Sequence, residues 1–248
     1  VHEMEPKDSN ATQVLTRTGE FAFPGESWEV SVRERLHGAV ARFAGPLTDL
    51  VDRDANEGDT RILATDFLGE ALGYDKYNDL TTEYQTKGES VDYGVRIGDR
   101  IVAFLEIKRC GQELDVRSLR QARTHAEEQG AEWLLFTNGR EWRSYHLPGA
   151  DVSPRLIVQV DLLSEGDVAD KVHGLFYLTK DVFERGLVDV ARKGREALAP
   201  PSLAGILQSE AVVSAVRSEV RRATSYSATS DEILRSIREG IIPPSLKP

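Results

Sequence analysis

The stretch from Val91 to Lys108, VDYGVRIGDRIVAFLEIK, limits the folds open to this chain more than any other. Two apolar, β-branched runs flank a Gly98-Asp99 turn signal, which predicts an antiparallel hairpin. The first run carries Asp92 and the second ends Glu106-Ile107-Lys108, so three charged side chains fall in strands that should be well buried. Buried charges need a partner or a task. Alternation along a strand puts Glu106 and Lys108 on one face, roughly 6.5–7 Å apart. A three-residue turn, Gly98 to Arg100, would pair Ile97 with Ile101 and set Asp92 directly opposite Glu106. A two-residue turn would set Asp92 opposite Leu105, on the wrong face, so the three-residue turn is expected. Carboxylates opposed at about 4.5–5.5 Å between Cβ atoms repel unless one is protonated or a cation lies between them. A hard divalent cation with oxygen ligands meets that need, Mg²⁺ best, with Mn²⁺ able to substitute. Lys108 would then polarise a water or hold an anionic substrate. The competing explanation is a structural Asp–Lys or Glu–Lys ion pair.

At 248 residues and 40% apolar content the chain can build one large domain with a helical extension. It holds no apolar run of about 18 residues, so no membrane span is expected. The start, VHEMEPKDSN, lacks the apolar core of a secretory signal, and a cytoplasmic location is expected. One cysteine, Cys110, excludes an internal disulfide framework and a cysteine-rich zinc site. The formal charge of −10 argues against indiscriminate nucleic-acid binding. It leaves room for a nuclease, in which a local basic rim and a bound metal handle the phosphate.

Three regions are expected. Residues 1–52 form an N-terminal arm with a short strand near Phe21-Ala22-Phe23, followed by helical packing material from Trp28 that Gly45-Pro46 interrupts. Residues 53–199 form the main domain, and residues 200–248 form a helical extension. In the main domain Asn56 suits the N-cap of a helix running to Leu72, stopped by Gly73, with Glu57 and Arg61 four apart on its surface. Residues 80–86 read as a strand centred on Glu83. After the hairpin, Asp115 opens a helix through about Gln129, on which Gln121 and His125 share a face. Trp133 to Thr137 is a short apolar strand, as in the middle of a sheet. Asn138-Gly139 turns into a strand from Trp142 to Leu147, and Leu156 to Leu162 alternate as another. Residues 168–197 read as helical, and Ala199-Pro200-Pro201 reads as a linker. Beyond it lie a helix ending in Arg217, Arg221 and Arg222, and a Thr229/Glu232 capping box. The fold class is α/β, a mixed central sheet flanked by helices.

Several chemistries are excluded by missing motifs. The sequence has no P-loop and hence no NTP site, no dinucleotide fingerprint and no G-x-S-x-G elbow. Its histidines lack zinc-site spacing.

Asp92 with Glu106-Ile107-Lys108 resembles the core of the PD-(D/E)xK nuclease superfamily. The ordered set Asn56-Glu57, Thr60-Arg61, Leu72-Gly73-Tyr74, Glu83-Tyr84, Val91-Asp92-Tyr93, Gln121 and Thr137 to Tyr145 is similar to the N-terminal nuclease domain of type I restriction endonuclease R subunits and their short stand-alone relatives. The likeness spans roughly residues 53–147. It implies a restriction-endonuclease-like fold and Mg²⁺-dependent cleavage of nucleic acid, DNA above all, in restriction or phage defence. By the same likeness Asp92, Glu106 and the Ile107 carbonyl would be metal ligands, with Glu57 close by, as a further ligand or through a water. Lys108 would orient the attacking water, and Gln121 would stand for the glutamine of a Q-x-x-x-Y motif. Here the fourth residue after that glutamine is His125, not tyrosine, and these 248 residues hold no P-loop of the family's motor domains. The alternative is a catalytically silent binding or regulatory module on the same scaffold, within a larger defence or repair assembly that the helices after Pro201 would dock.

Overall fold

The hairpin lies in the middle of a six-stranded sheet. The computed structural model describes residues 14–15, 21–22, 27–82, 85–86, 89–90, 92–128, 130–149 and 152–246. The strands are β1 (Leu80–Thr81), β2 (Tyr93–Ile97), β3 (Arg100–Ile107), β4 (Trp133–Thr137), β5 (Glu141–His146) and β6 (Arg155–Asp161), adjacent in chain order. Every neighbouring pair is antiparallel except β3 and β4, which run parallel. Parallel neighbours need a long crossover, and α3 (Val116–Glu128) supplies it. The chain is thus a mixed α/β protein.

The hairpin turn differs from the expected one. Ile97 pairs with Arg100, so the loop is the two-residue Gly98-Asp99, with Gly98 at φ +59°. Beyond it the register slips: Arg96 faces Ile101, but Val95 faces Ala103, leaving Val102 as an extra residue on β3. This β-bulge restores the phase that the shorter loop would have lost. Tyr93 pairs with Leu105, the last pair of the ladder, and the same register continued one step would set Asp92, just before β2, opposite Glu106.

Helices cover both faces of the sheet. On one, Ala122 and Ala126 of α3 join Phe104, Leu134, Phe136 and Tyr145 in a buried cluster. The other carries α2 (Glu57–Glu70) and α4 (Val168–Phe176), and α1 (Ser27–Asp52) packs against both. Phe67 of α2 sits between Phe43 and Trp142, ring centroids 5.2 and 5.1 Å away.

Pro46 does not break α1, which continues through it. Val32, Leu36, Ala39, Val40, Phe43, Leu47 and Leu50 form one buried stripe along the helix, and that packing outweighs the backbone hydrogen bond a proline removes. In α2, the Asn56 side chain accepts the Asp59 N–H at 2.9 Å, a cap worth about 1 kcal/mol. Past its end Gly73 takes φ +82°, and Leu72 and Tyr74 N–H groups close on Phe67 and Leu68 carbonyls.

The predicted strand over 80–86 is divided. Leu80–Thr81 joins the sheet, whereas Gln85–Thr86 pairs with Glu89–Ser90 in a separate ribbon; Glu83 and Tyr84 lie outside the described residues. Near the N-terminus, Phe21–Ala22 pairs with Val14–Leu15. The helical stretch 168–197 is three helices, α4, α5 (Lys180–Glu184) and α6 (Val188–Ala197), separated at Thr179 and at Gly186, whose φ is +66°.

Two compact units divide the chain, residues 1–185 and 186–248. The expected boundary at residue 200 falls inside the second, where Pro200 occupies the first turn of α7 (Pro200–Leu207) rather than a linker. This unit continues with α8 (Glu210–Thr224) and α9 (Ser230–Ser236), and Ala204, Val213, Ile237 and Ile242 form its core. The Thr229/Glu232 capping box is present. Of the basic cluster, Arg217 bonds the Ala228 carbonyl and Ser230, and Arg222 pairs with Glu219. No described helix is long and apolar enough to cross a membrane.

Candidate active site

Two side chains tie the segment just after β3 to the first turn of α2 and to α1. Thr60 Oγ1 accepts the Cys110 N–H at 3.1 Å, and Cys110 Sγ donates to the Leu50 carbonyl at 3.2 Å. On the sheet side, the Lys108 N–H donates to the Thr137 carbonyl at 2.8 Å, extending the β3–β4 ladder past Ile107. Gly139, at φ +80°, lies close under α2: a Cβ there would stand 3.3 Å from Thr60 Cγ2. The side chains of Glu57 and Arg61 are thereby delivered to the hairpin.

Asp92 uses both of its oxygens. Oδ2 accepts the backbone N–H of Ile107 at 2.7 Å, and Oδ1 forms an ion pair with Arg61 Nη2. The same Nη2 reaches Glu57 Oε1 at 3.4 Å, so one guanidinium nitrogen bridges two carboxylates. The Arg61 Nε is buried and has no hydrogen-bond acceptor among the described residues. Beside this group Lys108 Nζ donates to Glu106 Oε1 at 2.5 Å. The Asp92 and Glu106 side chains are 10% and 11% exposed, nearly as buried as the core around them.

Three carboxylates therefore face two cations, and the protonation behaviour reflects the imbalance. Burial pushes Glu106 above the usual carboxylate range; the Lys108 hydrogen bond and charge pull it back, and the charges of Asp92 and Glu57 push it up again, for a net rise. For Lys108, burial acts downward, but its bond to Glu106 and the charges of Glu106, Glu57 and Asp92 prevail, so its ammonium is held more firmly than in water.

Of the residues singled out by sequence, Asp92, Glu106, Lys108 and Glu57 are brought into one cluster. Ile107 contributes a backbone N–H that orients Asp92, and its own side chain is fully buried. Gln121 is exposed on α3 and takes no part in these ion pairs; the side chain of His125 lies outside the described residues. The residue that sequence reasoning undervalued is Arg61. Its spacing from Glu57 signals a helix-surface pair, but nothing in the sequence signals its contact with Asp92, which follows from how α2 docks on the hairpin.

Among the described residues, no three carboxylate, imidazole or thiol side chains converge closely enough to hold a metal by themselves. The donor chemistry nevertheless suits a hard cation. Asp92 and Glu106 offer carboxylate oxygens, and the cluster carries one more negative charge than positive. A polar cleft of about 540 Å³ lies between residues Cys110 to Asp115, Asn138 and the β5 and β6 side chains Glu141, Arg143, Gln159 and Asp161, and none of Asp92, Glu106, Lys108 and Glu57 lines it. Its arginines are committed, Arg140 to Asp161 and Arg143 to Glu141.

No family model matches this chain, and neither a curated protein nor a solved structure does.

Proposed function

We propose that the protein is a Mg²⁺-dependent nuclease of restriction-endonuclease-like fold, hydrolysing phosphodiester bonds in nucleic acid, with DNA as the substrate. One observation carries this reading: Asp92, just before β2, and Glu106 of β3, two nearly buried carboxylates, share a site with the ammonium of Lys108. Structural ion pairs place one cation against one anion, whereas here the anions are in surplus.

Asp92, Glu106 and the Ile107 carbonyl would hold the cation, with Glu57 beside them. When bound, Mg²⁺ lowers the pKa of a water and neutralises charge on the scissile phosphate. Asp92 is held in place by the Ile107 N–H, so its oxygens need no reorganisation. Lys108 is protonated through its contacts with Glu106. It would act as a charged donor that orients a water or a phosphate oxygen and stabilises developing negative charge.

The test is cleavage of plasmid DNA with Mg²⁺ or Mn²⁺. Wild-type protein should nick or cut, and Asp92→Ala, Glu106→Ala and Lys108→Ala should each abolish it. Equal trace activity in the wild type and Lys108→Ala would point to a contaminant. The second reading is a catalytically silent module on this scaffold, favoured by the fact that Arg61 and Lys108 already pair with the two carboxylates. Calorimetric titration with Mn²⁺ separates the two: the silent module takes up no metal.

A further inference from the structure

We propose that Arg61 is a positioning residue that holds the cation's place: its Nη2 bridges Glu57 and Asp92 in the metal-free protein and gives up Asp92 when a divalent cation binds. The inference rests on the metal-site reading above and adds the residue with which the metal competes.

Three observations carry it. First, the bridge is made by a single nitrogen, Nη2, which contacts Asp92 Oδ1 and stands 3.4 Å from Glu57 Oε1. A positive centre between carboxylates from two different elements is what a bound cation would provide. Second, the Arg61 contact is incomplete. Arginine binds a carboxylate most strongly through two parallel N–H groups. Here Asp92 offers Arg61 only Oδ1, because Oδ2 is taken by the Ile107 N–H, and the buried Arg61 Nε has no acceptor among the described residues. An unsatisfied buried donor weakens the arrangement that contains it, so the guanidinium is a replaceable occupant. Third, the Arg61 side chain is 41% exposed, whereas that of Asp92 is 10% exposed. The arginine can swing towards solvent without disturbing the core, and Asp92 stays in place through its bond to Ile107.

The sign of one measurement distinguishes this role from a merely structural one. If Arg61 only buttressed Asp92, its loss would loosen the carboxylate and weaken metal binding. A competitor does the opposite. Mn²⁺ titration by calorimetry should therefore give a Kd at least about tenfold tighter for Arg61→Gln than for wild type, a difference of about 1.4 kcal/mol. In thermal unfolding, Arg61→Gln should melt below wild type without metal and gain more than wild type from saturating Mn²⁺. Arg61→Lys keeps the charge but loses the planar fork, so its Mn²⁺ Kd should lie between the two; it also serves should Arg61→Gln fail to fold. An Arg61 variant that binds Mn²⁺ as tightly as wild type or more weakly overturns the proposal. If in that case wild type binds Mn²⁺ and Asp92→Asn does not, the metal site stands and only the role of Arg61 falls. If neither wild type nor the Arg61 variants bind Mn²⁺, the metal reading falls, and this inference falls with it.

Discussion

Asp92 accepts the backbone N–H of Ile107 at 2.7 Å across the β2–β3 pair. The bond joins the residue before β2 to the last residue of β3, just past the final ladder pair of Tyr93 with Leu105. It also explains why a charged side chain is tolerated there: the carboxylate satisfies a backbone donor, and its remaining charge is met by Arg61.

Removing that carboxylate should therefore have two separable costs. Asp92→Asn retains an amide oxygen for the Ile107 N–H and loses only the charge opposite Arg61. Asp92→Ala leaves the buried N–H without a partner as well, which costs about 1–3 kcal/mol. In urea unfolding, Asp92→Ala should be the less stable of the two by that amount, and equal midpoints would show that the bond contributes nothing.

The raised pKa of Glu106 has a stability consequence with a definite sign. Its proton is bound more tightly in the folded than in the unfolded chain, so the ionised form opposes folding, and that opposition fades as pH falls through the folded pKa. Relative to Glu106→Gln, the wild-type protein should gain stability as pH falls from the raised folded-state pKa towards the ordinary glutamate value of about 4.3. A pH-independent difference across that window would contradict the assignment.

Deleting Val102 should leave the site intact. The residue is the extra member of the bulge, and without it a regular hairpin with the same two-residue turn would still bring Asp92 opposite Glu106. The amide of Ile107 should remain slow to exchange in the deletion variant. Fast exchange in an otherwise folded protein would mean that the bulge itself holds the hydrogen bond.

Gly174 lies where α4 packs on β6, and a Cβ built there comes 2.3 Å from Val160 Cγ2. A valine methyl cannot swing aside as a long side chain can, so helix and strand would have to separate. Gly174→Ala should lower stability by about 1–3 kcal/mol in chemical denaturation, and Gly174→Ala combined with Val160→Ala should recover part of it.

Much of the sheet was legible because its signals are local. β-Branched runs on either side of Gly98-Asp99, the wholly apolar Trp133 to Thr137, and the alternation from Leu156 to Leu162 each identify a strand from a few neighbours in sequence. The caps at Asn56, Asp115 and Thr229 were legible for the same reason: a short polar side chain meets an N–H two or three residues away. The hairpin turns on two residues where three are expected, and the bulge at Val102 returns the strands to the phase that a three-residue turn would give.

Local pattern failed wherever burial decided. Pro46 reads as a helix stop, but the stripe from Val32 to Leu50 packs on both sides of it and carries α1 through. Arg61 reads as the surface partner of Glu57, but the docking of α2 against the end of β3 makes it the counter-ion of Asp92. From the order of residues alone come the strands, the caps and the charged ends of the hairpin, each set by interactions within a few residues. The continuity of α1, the bulge at Val102 and the bridge from Glu57 through Arg61 to Asp92 depend on contacts between segments far apart in the chain, whose energies no local pattern contains.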